Sequence, residues 1–218
     1  MTQLLLGIAP EWTPTLGNFV VGRNAELLSA LRRALAGSAG GHAFCLWGAA
    51  GSGKSHLLQA VVGQAQVAGM SAHYARQEVP PPAQVLAVDE VEALDDAAQI
   101  GLFALYNRMR ETGGLLLVTG TQAPAQMTLR DDLRTRLGWG LVYQVHALND
   151  AEKAQALQQH AQARGFELSP EVVTYLLRHG RRDLPSLLAL LDALDEHCLR
   201  LKRLASVPLL KAVMAGDR

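Results

Sequence analysis

The chain of 218 residues has little of several things. Two isolated cysteines, Cys45 and Cys198, make neither a disulfide framework nor a metal site, and the expectation is a reduced protein. Aromatic residues amount to 5%, which with abundant Ala and Leu favours helices over an all-β design. Lys+Arg and Asp+Glu balance at 20 each, so no global basic field is available to hold nucleic acid. No apolar run approaches the length needed to cross a bilayer, and no charged-then-apolar leader precedes the domain. The expectation is a soluble, cytoplasmic chain with no membrane partner. The histidines are scattered without ligand spacing, and no G-x-S-x-G or Cys/His pairing suggests covalent catalysis. What remains is 49% hydrophobic, enough to bury one sizeable domain, or a main domain with a small one.

What is present centres on one loop, Gly48-Ala49-Ala50-Gly51-Ser52-Gly53-Lys54-Ser55. An apolar run, Ala43 to Trp47, leads into it, and a helix-like run from His56 to Val62 leaves it. Strand, G-x-x-x-x-G-K-S loop and helix together make a phosphate-binding pattern. Glycines let successive backbone N–H groups turn inward on an anion, and the new helix adds its positive end. Lys54 can reach β- and γ-phosphates, and the Ser55 hydroxyl can bind Mg²⁺. The expected ligand is a nucleoside triphosphate or diphosphate.

Around the loop, Asn24–Leu35 reads as a helix with leucines at 27, 28, 31 and 35 on one face. Strands are expected at 43–47, 71–75, 84–88, 115–119 and 141–145, mostly separated by helices. That predicts an α/β fold, a five-stranded parallel sheet covered on both faces. Pro80-Pro81-Pro82 keeps the stretch before the third strand out of any helix. From Asn149 onward the pattern is helical only, with Asn149 and Glu152 spaced for a capping box and Ser169-Pro170-Glu171 opening another helix. The expected division is an N-terminal peptide over 1–14, a nucleotide-binding core over 15–148 and a small helical lid over 149–218.

Three further stretches carry candidate chemistry. Val85 to Glu90 is an apolar strand ending in two acids; Asp89 suits the Mg²⁺ side and Glu90 can polarise an attacking water as a base. Arg136 stands just before Gly138-Trp139-Gly140, where a projecting guanidinium can stabilise charge on a γ-phosphate; Arg130 and Arg134 read as a solvated mixed-charge helix. Arg182, in Arg181-Arg182-Asp183-Leu184, can fold from the lid onto bound phosphates. The apolar cluster Gln3-Leu4-Leu5-Leu6 either tucks back onto the domain or docks on a partner.

Several of these stretches together, Asn18-Phe19-Val20-Val21-Gly22, Ser55-His56-Leu57-Leu58, Leu133 to Gly140 and Arg182-Asp183-Leu184, resemble the AAA+ module of the DnaA-related family over roughly residues 15 to 213. The helix-turn-helix domain with which DnaA reads origin boxes is not met before Arg218, so no direct sequence-specific DNA binding is expected. A lone module with a Gln-Leu-rich start resembles the Hda branch, the DnaA regulatory inactivators. The resemblance implies an AAA+ phosphate-loop NTPase fold with nucleotide between core and lid, the Asn18–Gly22 segment and His56 on the cofactor side, and Arg136 presented to ATP on a neighbouring DnaA. It also implies that Gln3, Leu4, Leu5 and Leu6 bind the β sliding clamp of DNA polymerase III. Gly7 stands where that peptide has proline, Thr121-Gln122 where the family commonly has Asp-Arg, and the short proline-rich 76–83 segment where DnaA inserts single-strand-binding helices.

The expected function follows from the resemblance: with the DNA-loaded clamp, this protein promotes hydrolysis of DnaA-bound ATP in trans and prevents re-initiation, its own ATPase being weak. The alternative is an autonomous ATPase of the helicase-loader or adaptor kind using Glu90. The sequence leaves a homodimer open.

Overall fold

The computed structural model describes residues 13–37, 43–181, 183–201 and 203–216. Its centre is one sheet of β1 (Ala43–Trp47), β2 (Ala72–Arg76), β3 (Val85–Asp89), β4 (Leu115–Gly120) and β5 (Leu141–Gln144), in the order β2-β3-β4-β1-β5. Every neighbouring pair is parallel. Parallel strands need long crossovers, and most of them here carry helices: α1 (Ala25–Leu35) precedes the sheet, α2 (Lys54–Val67) follows β1, α3 (Asp96–Thr112) follows β3, and α4 (Asp131–Trp139) follows β4.

The two-residue period of a strand sorts the side chains into two layers. Phe44 and Leu46 of β1 pack with Leu27 and Leu31 of α1 and with Leu57, Leu58 and Val61 of α2. Ala43 and Cys45 point the other way, into Leu102, Leu105 and Met109 of α3 and Leu133 and Leu137 of α4. Strands buried on both faces read as continuous apolar runs, which is why β1, β3 and β4 are legible. The fifth strand differs from expectation. Leu141–Gln144 pairs on one side only, with β1, and Leu141 and Val142 are each 38% exposed. An apolar run does not reveal whether its strand is central or at an edge. Burial of the Cys45 thiol, with Glu92 nearby, pushes its pKa up to about 12, so it is inert packing.

The lid consists of α5 (Asp150–Ala163), α6 (Pro170–His179), α7 (Leu184–Leu201) and α8 (Val207–Gly216) around a separate core that includes Leu157, Leu176, Leu191 and Leu210. Its helix starts are written in the sequence. Asn149 and Glu152 form the reciprocal capping box, and the Ser169 hydroxyl accepts from the Val172 N–H with Pro170 in the first turn. Among the described residues no helix is long and apolar enough to cross a membrane.

One contact joins the entry of the chain to the junction between sheet and lid. Asn24 is 3% exposed; its amide donates to the His146 carbonyl at 3.0 Å and accepts from the His146 N–H at 2.8 Å. Gly22 packs directly against Leu148 and Glu152. The 18–24 segment is thereby fastened to the linker between β5 and α5. Asn24→Ala orphans both groups of His146, so it is expected to cost about 1–3 kcal/mol, read as a lower urea midpoint with an unchanged m-value.

Candidate functional site

The end of β1 cannot continue straight. Gly48 has φ +154°, its N–H donates to the Gly120 carbonyl at 3.3 Å, and a Cβ on it would stand 2.5 Å from the Val145 carbonyl oxygen. Gly51 and Gly53 also have positive φ, +73° and +98°. A loop turning this tightly directs its N–H groups into its own concavity and delivers the chain to the N-terminus of α2. Ser52 is buried, 6% exposed, and its hydroxyl oxygen has no hydrogen-bond partner. An orphaned buried hydroxyl in a glycine-rich turn at a helix N-terminus fits an anionic ligand. Ala49 and Ala50 form the exposed tip.

Lys54 lies folded back on the loop, donating to the Gly48 carbonyl at 2.7 Å and the Ala49 carbonyl at 2.9 Å. Burial holds its pKa below the usual range, against the opposing pull of Asp89, Glu92 and Glu90. Ser55 is exposed in the first turn of α2. Asn18, Phe19, Val20, Gly51, Ser52, Gly53 and His56 share one cleft with Leu148 and with Leu184 and Pro185 of the lid. His56 Nε2 lies 2.9 Å from the Thr15 carbonyl, its ring is tilted 5.5 Å from Phe19, and burial lowers its pKa. Asn18 holds the turn before it, accepting from the Thr15 N–H at 2.8 Å and donating to the Thr13 carbonyl at 3.0 Å. Val21 is exposed and Gly22 turns the chain with φ +47°.

Across β4 from the loop strand, Asp89 is 1% exposed at the end of β3. Tyr74 donates to one of its oxygens at 2.8 Å and Thr119 to the other. Thr119 also accepts from the Glu90 N–H at 2.9 Å. Burial and the Asp89 bond push the Tyr74 phenol up to about 12, so it stays a donor. Glu90 is different. Its carboxylate is gripped by Arg76, at 2.6 Å, and by Gln77, and these bonds hold its pKa below the usual carboxylate range. A carboxylate stabilised in this way is a weak proton acceptor. Glu90 and Gln77 are also the two non-glycine residues with positive φ among those described, +57° and +58°.

Tyr74, Arg76, Gln77 and Thr119 were not picked out by sequence reasoning. Thr119 carried a signal, a hydroxyl in an otherwise apolar strand, whereas the other three meet the acids only through strand pairing. Thr121 binds Glu92 through its N–H at 2.7 Å and through its hydroxyl.

Arg136 stands apart from the cleft. It lies in the last turn of α4, and its guanidinium sits over the Trp139 ring at 4.3 Å and 5.8 Å from the Phe103 ring. Trp139 is 63% exposed. The end of α4 abuts the start of β1, since a Cβ on Gly140 would come within 2.6 Å of the Ala43 carbonyl oxygen. The phosphate loop leaves the opposite end of that strand, on the order of 13 Å away at strand spacing. Arg130 and Arg134 pair with Asp132 and Asp131 at the surface. Arg182 and the peptide Gln3, Leu4, Leu5, Leu6 lie outside the described residues.

Comparison with known proteins adds the following. Residues 150–214 match the family model described as Hda, lid domain. The AMPPCP-bound DnaA from Aquifex aeolicus is 21% identical with a TM-score of 0.71, the match covering 84% of this chain and 65% of that one. Domain III of the Thermotoga maritima replication initiation protein DnaA is 18% identical with a TM-score of 0.75, covering 93% of this chain and 95% of that one. The Thermotoga maritima RuvB A156S mutant is 16% identical with a TM-score of 0.66, covering 93% and 71%. The chain thus spans just under two thirds of the Aquifex aeolicus DnaA chain. These likenesses give the fold, an AAA+ core with a helical lid.

Two outcomes are expected from this geometry. Gly53→Ala sets a Cβ 2.8 Å from Phe19 on a residue at φ +98°, and strain of about 1–3 kcal/mol should weaken nucleotide affinity roughly 5- to 150-fold in a fluorescent-ADP titration. Removing the guanidinium with Arg76→Ala should raise the Glu90 pKa toward the ordinary carboxylate value, followed by NMR titration of the side-chain carboxyl.

Proposed function

We infer that this chain, whose lid belongs to the Hda family and whose core has the AAA+ fold of DnaA, is a regulator of replication initiation that binds nucleotide and acts on the ATP of another protein. Nucleotide sits in the cleft of Asn18, Phe19 and His56, its phosphates in the Gly48–Ser55 loop, with Ser52 as a ready donor and Lys54 swinging from the loop carbonyls to the phosphates. Mg²⁺, when bound, would neutralise phosphate charge; the Ser55 hydroxyl and Asp89 would hold it, Asp89 being oriented by Tyr74 and Thr119. The cofactor is ADP or ATP. In this reading it is a structural ligand, because the carboxylate best placed as a base, Glu90, is tied to Arg76 and Gln77.

The observation that carries the reading is the placing of Arg136. Its guanidinium lies on an exposed indole at the far end of β1 from its own phosphate loop. A cation–π seat on Trp139 holds the group near the surface without neutralising it. From there it can meet the phosphates of a neighbouring subunit, and the DnaA-like fold makes DnaA-bound ATP the natural target. The terminal segment Gln3-Leu4-Leu5-Leu6 supplies apolar anchors for docking on the DNA-loaded sliding clamp, which brings the two AAA+ proteins together on DNA. Hydrolysis then returns DnaA to its ADP form and blocks re-initiation.

The test is ATP turnover by DnaA with clamp and DNA present, with and without this chain. Arg136→Ala is expected to keep nucleotide and clamp binding and to lose the stimulation, a fall of about 10³-fold or more if the guanidinium acts on the transition state. Undiminished turnover by that variant would sink the assignment of Arg136. Substantial ATPase by this chain alone, abolished by Glu90→Gln, would instead support the autonomous-enzyme reading.

A further inference from the structure

A groove of about 1250 Å³ crosses the lid between α6, the start of α7 and α8, away from the nucleotide cleft. Its lining is lopsided in charge. Arg181, Lys211 and His179 stand on its walls and, among the described residues, no Asp or Glu lines it, although the chain as a whole carries equal numbers of acids and bases. Its floor is aliphatic, with Leu190, Ala193 and Met214 leaning on the lid core without being fully buried. The aromatic wall is already covered: His179 stacks on Tyr175 at 4.2 Å, and Lys211 Nζ stands 5.3 Å from the same ring.

We propose that this groove is a docking site for an acidic amphipathic segment of a partner protein, one that presents carboxylates beside alkyl side chains. Cationic walls over an aliphatic floor match that chemistry in both charge and polarity. A single-stranded nucleic acid needs free aromatic faces for its bases, and the ring here is occupied by His179 and Lys211.

The groove also has a structural connection to the nucleotide. Gly180, Arg181 and Ser186 line it, while Leu184 and Pro185 line the nucleotide cleft, and Asp183 faces Gly51 of the phosphate loop, a Cβ there meeting Asp183 Cβ at 3.4 Å. Gly180 admits this path, because any side chain on it would stand 2.7 Å from the Leu176 carbonyl and from Leu187. Residues 183–186 therefore stand between the groove, which Ser186 lines, and the nucleotide cleft, which Leu184 and Pro185 line. Occupancy of either site biases the same segment, so the two bindings are linked and the linkage is reciprocal.

The experiment uses the full chain and a fluorescein-labelled twelve-residue peptide of alternating Glu and Leu at helical spacing, followed by anisotropy. Saturable binding is expected, weakened at least tenfold by Lys211→Glu and changed several-fold between ADP-loaded and nucleotide-free protein. A matching peptide with Lys in place of Glu should bind the Lys211→Glu chain better than the unaltered one, which separates a charge effect from a folding defect. Lys211→Glu leaves the cleft untouched, so its ADP affinity should be unchanged whichever way the peptide result falls, keeping this proposal distinct from the nucleotide assignment. The proposal is overturned by absence of saturable binding, by equal binding of both peptides, or by an affinity indifferent to Lys211→Glu. It is likewise overturned if the groove charges instead govern binding to phosphatidylglycerol vesicles or self-association of the chain.

Discussion

The constraint on which everything else depends is the lack of room around Gly48. The Val145 N–H donates to the Trp47 carbonyl at 2.7 Å, so the chain leaving β5 lies alongside the end of β1. A side chain on Gly48 would have to occupy the volume of the Val145 carbonyl. With hydrogen there instead, β1 turns sharply out of the sheet, and the direction of α2 follows. The same closeness brings the 145–149 linker over the loop, so that Leu148 and the lid residues Leu184 and Pro185 can share a cleft with Phe19. A steric relation at one α-carbon thus fixes sheet, loop and lid against each other.

Charge is arranged in the same economical way. Three carboxylates lie near the loop lysine, and each is held differently. Asp89 is buried and fully hydrogen-bonded, which keeps an acid rigid where water cannot solvate it. Glu92 is occupied by Thr121. Glu90 is exposed enough to react, and it is the one tied to a guanidinium. The consequence is a site well made for holding phosphates and poorly made for activating water. The Arg136 guanidinium lies elsewhere, on Trp139. The phosphate loop and the arginine proposed to act on a neighbour's triphosphate thus stand at opposite ends of one strand.

Much of this was legible in the sequence, and the part that was not has a common cause. The phosphate loop, the capped lid helices and the buried strands are local patterns, each decided by residues adjacent in the chain. Arg136 was visible as a candidate, but its seat on Trp139 and Phe103 needed α3 and α4 side by side. The edge position of β5 was hidden, because Leu-Val-Tyr-Gln looks the same with one neighbour or two. Asn24 was read as the start of α1, yet its side chain makes no cap bond there and serves His146 instead, a residue far along the chain. Arg76 and Gln77 looked like loop polarity; only the register of β2 on β3 brings them to Glu90. Pairing across strands is set by global packing, and a single sequence does not display it.

The lid brings these strands of argument together. A nucleotide held between core and lid could be felt elsewhere in the molecule only through contacts that join the two. Three such contacts are in place. Leu184 and Pro185 meet Phe19 in the cleft, Asp183 faces Gly51, and Gly22 rests on Leu148 and Glu152. The last of these lies beside the residues that the Asn24–His146 bonds fasten to the linker before α5. Asp183 also caps α7, accepting from the Ser186 N–H at 2.9 Å. The residue that faces the loop is therefore tied directly to the start of an eighteen-residue helix. Arg136 belongs to the core, in α4, and shares none of these contacts. If it acts on a partner's triphosphate as proposed, a nucleotide in the cleft bears on that action only by way of the lid face that the partner meets.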